Sequence, residues 1–375
     1  MKKSLSLMAL PFAYLATTPI LAEESDKLLT PSARIELEAM KANDVDLYDN
    51  ANNTDITDQS SKVELGLEAK LSPWAKASFL LVHEVGDDGH YELNWDEALF
   101  TLGNAEVSPF SLGLGKTTAP FGAFETLMIT DPYTKDMAET KAPIALVSYE
   151  ADNGLFAKAY TFDKKVNDRQ GSGMNNGGFQ IGYTEESEER SLNAGLGWMA
   201  NIGGTDGIRD TLRDRTGFNE RGLGPYALGG GRMRQDVPGI ALHMVAKQGP
   251  VTLIGEYISA TQNFNGTNEL AFGNQGAKPS ALNLEAGYTW DSGLLGKETT
   301  LAIGYQKTSE ALDLGLPEKR VALGLGIEVY KYTTLKLEWA RDWAYGSSKT
   351  GNATLGNTGT SDSVDTVTAQ LAFEF

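Results

Sequence analysis

In the stretch KVELGLEAKLS, Val63, Leu65, Leu67, Ala69 and Leu71 share one parity, while Glu64, Gly66, Glu68 and Lys70 occupy the other. Apolar and polar positions that alternate every two residues describe a β-strand with one dry face and one wet face. RVALGLGIEV repeats the arrangement, with Val321, Leu323, Leu325 and Ile327 opposed to Arg320, Gly324, Gly326 and Glu328. At the end of the chain Val367, Ala369, Leu371, Phe373 and Phe375 oppose Thr366, Thr368, Gln370 and Glu374. About sixteen segments of this kind can be marked, each of roughly ten residues, the length of a tilted strand that crosses an outer membrane. They begin near Ser32, Lys62, Ala75, Asn94, Phe110, Ile144, Gly154, Gly178, Ser191, Pro238, Val251, Ala281, Glu298, Arg320, Thr333 and Asp362.

The links between segments fall into two classes. Leu71 to Trp74, Ala151 to Gly154, Glu185 to Glu189, Gln248 to Pro250 and Tyr330 to Tyr332 are tight turns. The links 43–60, 119–142, 201–236, 261–279 and 344–361 are long and rich in Gly, Asn and Asp. Short turns at one end and long loops at the other are the habit of a transmembrane antiparallel β-barrel, with periplasmic turns and extracellular loops. An even strand number then places both termini in the periplasm. Trp74, Trp290, Tyr330 and Tyr332 fall at the turn end and Trp198, Tyr257 and Trp343 near the loop end, as two interfacial girdles require. A soluble sandwich or propeller would bury the inward Glu and Lys residues in a packed core, at a cost that a water-filled lumen avoids.

Composition refines this all-β expectation. Lys2 and Lys3 precede an apolar run that ends on a small residue, so residues 1–22 read as a signal peptide, 23–31 as a short periplasmic segment and 32–375 as the barrel. There is no cysteine, which excludes disulfides and thiolate metal sites. The formal charge is −18, and losing the two signal lysines makes the chain more acidic still, which disfavours nucleic acid as a partner. Beyond the signal no apolar run approaches the roughly 18 residues of a transmembrane helix. The terminal Phe375 closes an alternating strand and resembles the signal by which outer-membrane proteins reach the barrel-assembly machinery; it also suits a last lipid-facing residue.

One stretch departs from the pattern. Leu112 and Leu114 continue a strand whose inner face, Ser111, Gly113 and Gly115, would admit close approach from the lumen. After Lys116, residues Pro120, Phe121 and Gly122 end it abruptly. The following residues mix apolar Phe121, Phe124, Leu127 and Met128 with Glu125, Asp131, Lys135, Asp136, Glu139 and Lys141. A wholly solvated loop has no need of those apolar side chains. Residues 119–142 are therefore expected to fold into the lumen and, together with Lys116, to form a constriction along the solute path that includes Pro120, Phe121 and Gly122 as well as the charged residues, with an external cap as the alternative.

NWDEALFTLGN followed by LGLGKTTAPFGAFETLMITDPYTKDMAET is similar to the LbtU family of siderophore porins, whose D-E-A and L-G-N pattern precedes a G-K-x-x-x-P-F-G-x-F-E-T segment. The match rests on Asp96, Glu97, Ala98, Leu102, Gly103, Asn104, Gly115, Lys116, Pro120, Phe121, Gly122, Phe124, Glu125, Thr126, Asp131 and Pro132. The resemblance implies an outer-membrane barrel that takes up iron-chelating siderophores without an energised plug. Plugged transporters use about 22 strands and a separate internal domain, and the strands marked here use up the chain.

Alternation turns Arg34, Glu36, Glu38, Glu64, Glu68, Lys70, Glu256, Glu285, Arg320, Glu328, Lys336, Glu338 and Asp342 inward. Opposed rows of such charges would orient polar solutes, whereas pairing across strands would merely keep the wall wet. The long loop carries Arg209, Arg213, Arg215, Arg221, Arg232 and Arg234, suited to carboxylate ligands, to lipopolysaccharide phosphates or to the loop's own Asp residues. The acidic loop NDVDLYDNANNTDITD reads as solvated. His83, His90 and His243 have no nucleophile and orienting acid beside them in sequence, so no enzyme, cofactor or metal is expected. The expected partners are a siderophore or another small solute, outer-membrane lipids and lipopolysaccharide, with a homo-oligomer left open. A general diffusion porin and a surface adhesin are the competing readings.

Overall fold

The computed structural model describes residues 28–43, 47, 55–85, 91–163, 173–187, 189–215, 236–266, 269–292, 298–351 and 357–375. The signal segment, His90, most of the acidic first loop and Arg221, Arg232 and Arg234 lie outside them.

The strands are β1 (Leu29–Ala42), β2 (Ile56–Ser72), β3 (Ala75–Val85), β4 (Tyr91–Leu102), β5 (Phe110–Thr118), β6 (Lys141–Glu150), β7 (Leu155–Phe162), β8 (Asn176–Glu186) and β9 (Arg190–Met199). They continue with β10 (Gly239–Gln248), β11 (Val251–Ala260), the two-residue β12 (Ala271–Phe272) and β13 (Gln275–Gly276), β14 (Ser280–Asp291), β15 (Glu298–Ser309), β16 (Lys319–Tyr330), β17 (Thr333–Trp343) and β18 (Ser363–Glu374). All but β12 and β13 form one closed barrel of sixteen antiparallel strands, each beside its sequence neighbours, with β18 returning to β1. The seam registers Ile35 on Phe373 and Leu37 on Leu371, and Ala33 exchanges backbone hydrogen bonds of 2.7 and 3.0 Å with Phe375. Closure leaves no strand edge unpaired, as a membrane interior demands.

Every expected strand exists, with boundary differences that have physical causes. β2 begins at Ile56 rather than near Lys62, because Ile56 to Ser61 pair in register with Ala42 to Leu37 although Thr57 to Ser61 are polar on both faces and show no alternation. β1 begins at Leu29, paired with Ala69. The hairpin β12–β13 lies inside a link that has no alternation to reveal it.

The outer face is a continuous apolar belt in which Leu65, Leu301, Ile303 and Leu323 are each about half exposed, a surface that suits lipid rather than water. Trp74, Trp290, Tyr330 and Tyr332 are exposed at the turn end, and His83 stacks on Tyr91 at the other. The principal hydrophobic core sits inside and over the loop end. It joins Phe121, Tyr133 and Met137 to Phe162, Met199, Ile202, Ile208, Ile258 and Leu270, all with 2% exposure or less.

Candidate functional site

Residues 119–140 leave β5, cross to the far wall and return to β6, with one short helix, α1 (Tyr133–Ala138), on the way. Three inward glutamates receive the crossing. Ala123 and Phe124 donate their N–H groups to Glu256 Oε1 at 2.6 and 3.2 Å. Phe124 adopts a left-handed backbone, φ 57°, which lets two successive N–H groups converge on one oxygen as an anion nest. Glu285 accepts from Thr126 Oγ1 at 2.8 Å and from Leu127 N at 2.6 Å. Glu338 accepts from Ile129 N, from Thr130 N at 3.1 Å and from the Thr130 hydroxyl. Beyond them Tyr133 N reaches Gln306 Oε1 at 3.0 Å, and its hydroxyl reaches Asp342. Asp342 also takes a two-pronged contact from Arg320 at 2.8 and 2.9 Å, and the Arg320 guanidinium lies 4.7 Å over the Tyr133 ring.

The wall makes room for these side chains with glycines. A Cβ at Gly197 would stand 2.1 Å from the Phe121 carbonyl oxygen, and one at Gly287 would stand 2.8 Å from Leu127. Met128 rests against Gly304 and Gly324. Ser111, Gly113 and Gly115 do not serve this purpose: Gly113 borders Leu99 and Leu146 of neighbouring strands, and Gly115 backs onto the Ala98 carbonyl.

A second segment packs on α1. Helix α2 (Asp206–Arg215) buries Ile208 and Leu212, and the turn before it buries Ile202. Thr205 Oγ1 donates to the Met137 carbonyl at 2.9 Å, and Lys141 N donates to Asp206 Oδ2 at 2.8 Å. The first part of the long loop thus turns inward.

A cavity of about 670 Å³ lies between the crossing segment and the wall formed mainly by β1, β2, β4 and β15 to β18. On the segment side Phe124, Glu125, Asp131, Lys135, Asp136, Glu139 and Lys141 line it. On the wall side stand Arg34, Glu36, Glu64, Arg320 and Lys336. Arg34 pairs with Glu36 at 2.5 Å and Glu374 at 3.1 Å, Lys62 with Glu64 at 2.7 Å, Lys135 with Asp131 at 2.8 Å and Lys141 with Asp96 at 2.5 Å.

Enclosure perturbs the segment's acids. Burial pushes the Glu125 carboxyl up to about 7, reinforced by the charges of Glu256 and Glu285. Burial and then Asp131 push Asp136 up to about 7, against the pull of Arg320 and Lys135. Asp136 is exposed toward the cavity that it lines, and the protein around that cavity limits its solvation. Burial also raises Glu139, opposed by Lys141 and Lys135. For Lys135 burial disfavours the ammonium, but Asp131 and Glu139 outweigh it and hold it above the ordinary lysine range.

Several sequence expectations are relocated. Lys116 lies on the outward parity with Leu112 and Leu114, its Nζ 2.6 Å from the Trp95 carbonyl, and does not line the cavity. Phe121 is buried in the core, and neither it, Pro120 nor Gly122 lines the cavity. Glu256, Glu285 and Glu338 are 3–4% exposed and act as anchors instead of free lumen charges. Glu68 and Lys70 keep the inward parity but lie beyond the cavity toward the turn end. Arg209 is held by Asp206 and by Asp210, Arg213 and Arg215 belong to α2, and Phe375 is exposed at the seam. His243 is buried in the inner wall with Nε2 3.4 Å from Asn193. Gln306 and Asp342 complete the fastening, and Gln306 was not marked by sequence.

No family model matches the chain. It is 28% identical over 342 residues to a UPF0422 protein of Coxiella burnetii, which covers 88% of this chain and 69% of that protein. It is 29% identical over 296 residues to a UPF0422 protein of Legionella pneumophila, which covers 75% of this chain and 54% of that protein. The chain thus spans about half the length of the Legionella relatives it matches. Among solved structures it resembles the anion-selective porin of Comamonas acidovorans, with TM-score 0.60, 15% identity and coverage of 92% and 99% of the two chains. OprB of Pseudomonas putida gives TM-score 0.59, 11% identity and coverage of 92% and 94%. The outer membrane channel DcaP of Acinetobacter baumannii gives 0.56, 13%, and 92% and 97%. At these identities the likeness is one of fold, and the fold is that of a porin-like channel.

Proposed function

We propose that the protein is an outer-membrane channel through which small hydrophilic solutes pass down a gradient, with siderophores as the leading cargo. The observation that carries the reading is the polar cavity of about 670 Å³ bounded by a segment that is fastened across the inside of a lipid-facing barrel. A segment held in this way narrows the lumen without filling it, and leaves charged side chains facing the remaining path. Selectivity then comes from width and charge at that narrowing, and no energy input is required.

The siderophore assignment draws on the motif resemblance of 94–140, where Asp96, Glu125, Asp131 and Pro132 belong to one motif and, except for Pro132, line one cavity. In this reading the turns and both termini face the periplasm, the loops face outward, and Phe375 serves the assembly machinery. A general diffusion porin is the second reading, favoured by the fold it shares with the solved porins and channels.

The test is single-channel recording of the refolded protein in a planar bilayer, with ferric siderophores, metal-free siderophores and a neutral sugar added in turn. Block by a ferric siderophore at micromolar concentration supports the siderophore channel. A steady current that none of them interrupts leaves the general porin, and an absence of current in inserted protein defeats both.

A further inference from the structure

We infer that the cavity passes cations in preference to anions, so that the chelates it admits are cationic or neutral and polycarboxylate complexes are disfavoured. The inference rests on the channel reading above and adds the sign of the charge selected. Among the described residues that line the cavity, carboxylates outnumber cationic side chains twelve to seven.

The imbalance in available charge is larger than the count. Arg34, Lys62, Lys135, Lys141 and Arg320 are each engaged by a carboxylate at 2.5 to 2.8 Å, which leaves Lys247 and Lys336 as the lining cations without an ion pair among the described residues. An engaged cation contributes a dipole to the path, and its attraction for a passing anion is largely cancelled by its partner. Against those two cations stand Glu38, Glu97, Glu125, Asp136 and Glu298, which line the cavity without an ion pair among the described residues. Among the described residues Glu38 meets only the amide of Gln370, which donates to it at 3.3 Å. Behind Glu125 the wall adds two further carboxylates, Glu256 and Glu285, whose contacts are N–H and O–H donors and no cation.

Dimension decides whether salt can hide this surplus. A sphere of the cavity's volume is about 11 Å across, close to the Debye length of about 10 Å at 0.1 M salt. A permeating ion therefore feels the walls on every side before the electrolyte screens them, and low-dielectric protein around the path focuses the field. Selectivity should be greatest in dilute salt.

The direct measurement is the reversal potential of the wild-type protein in a bilayer under a tenfold KCl gradient. The expected sign is that of potassium preference, with a permeability ratio on the order of threefold or more at low salt. In a bath at about pH 8.5, where both carboxyls are ionised, the double variant Glu125→Gln, Asp136→Asn should lower that ratio by roughly half while conductance persists, since it removes two of the unpaired charges. In the same membranes a ferric trihydroxamate that bears a free ammonium should interrupt the current, and ferric citrate should not. A chloride-preferring reversal potential, or tighter block by ferric citrate, overturns the inference and leaves the channel reading intact. Inserted protein without any current overturns the channel reading and the inference with it.

Discussion

Glu338 is the point at which the fastening of the crossing segment can be tested most directly. Replacing it with alanine removes the acceptor of Ile129 N, Thr130 N and the Thr130 hydroxyl in one step. Hydrogen bonds to a charged acceptor contribute roughly 1.5–3 kcal/mol each. Three of them would suggest about 4–9 kcal/mol, but the carboxylate's own burial costs several kcal/mol. Water in the cavity can also solvate the released N–H groups. A net local loss of about 2–3 kcal/mol is the expected balance, which raises the detached population of the segment about 30- to 150-fold. Glu256, Glu285 and Gln306 still hold its other contacts, so the barrel should be unaffected.

Two assays report on this. Lys135 is enclosed beside Asp131, and trypsin should cleave after it far faster in Glu338→Ala than in wild type, with Glu338→Gln between them because one acceptor oxygen remains. In single-channel records the alanine variant should flicker between levels that the wild type does not visit. Equal cleavage rates and equal noise in all three proteins, with thermal melting unchanged, would refute the idea that the carboxylates hold the segment in place. A fall in melting temperature of the whole barrel would refute the claim that the effect is local.

Gly197→Ala should displace the start of the same segment and change conductance, because its Cβ would meet the Phe121 carbonyl at 2.1 Å, whereas Gly326→Ala, with open space around it, should be silent in the same recording. Arg320→Met should cost about 3–5 kcal/mol locally, since it strands the buried Asp342 carboxylate and uncovers the Tyr133 ring, and should appear as faster trypsin cleavage at Lys135. Potassium preference should rise with pH through about 7, where Glu125 and Asp136 change from neutral to charged. Glu125 is opposed from β11 by Glu256 and from β14 by Glu285, and Asp136 faces Asp131, Glu139, Lys135 and Arg320. The reversal potential of Glu125→Gln, Asp136→Asn should be nearly flat over the same range.

How far such features can be read without a structure depends on what enforces them. The strand set was legible because lipid contact punishes any polar residue on the outer face, so Val321, Leu323, Leu325 and Ile327 keep a strict rhythm that no soluble loop maintains. The rhythm fails where membrane contact ends, which is why the first residues of β2 and the whole of β12 and β13 escaped it. Lys116 carries two opposed signals: it shares the parity of Leu112 and Leu114 and therefore faces outward, while its place between Gly115 and Pro120 in the motif points to the lumen, and the parity prevails.

The anchors illustrate the deeper limit. Parity assigns Glu256, Glu285 and Glu338 to the inner face as surely as it assigns Arg34 or Lys336, but it says nothing of height along the barrel or of which segment lies opposite. Their partners are distant in sequence, 123–130 against 256–338, and the contacts are made to backbone N–H groups, which every residue carries and no sequence pattern marks. One signal was available. Gly287 and Gly324 are inward residues without a side chain, the first two positions from Glu285 and the second registered on Glu338. An acceptor beside a vacancy is the local form of a seat for another stretch of backbone. The mark is partial: it singles out Glu285 and, across the strand pair, Glu338, but Glu256 stands between inward Ile254 and Ile258, and Glu64, which pairs with Lys62, has inward Gly66 beside it, so the opposing backbone and not the flanking residue decides which carboxylate becomes an anchor.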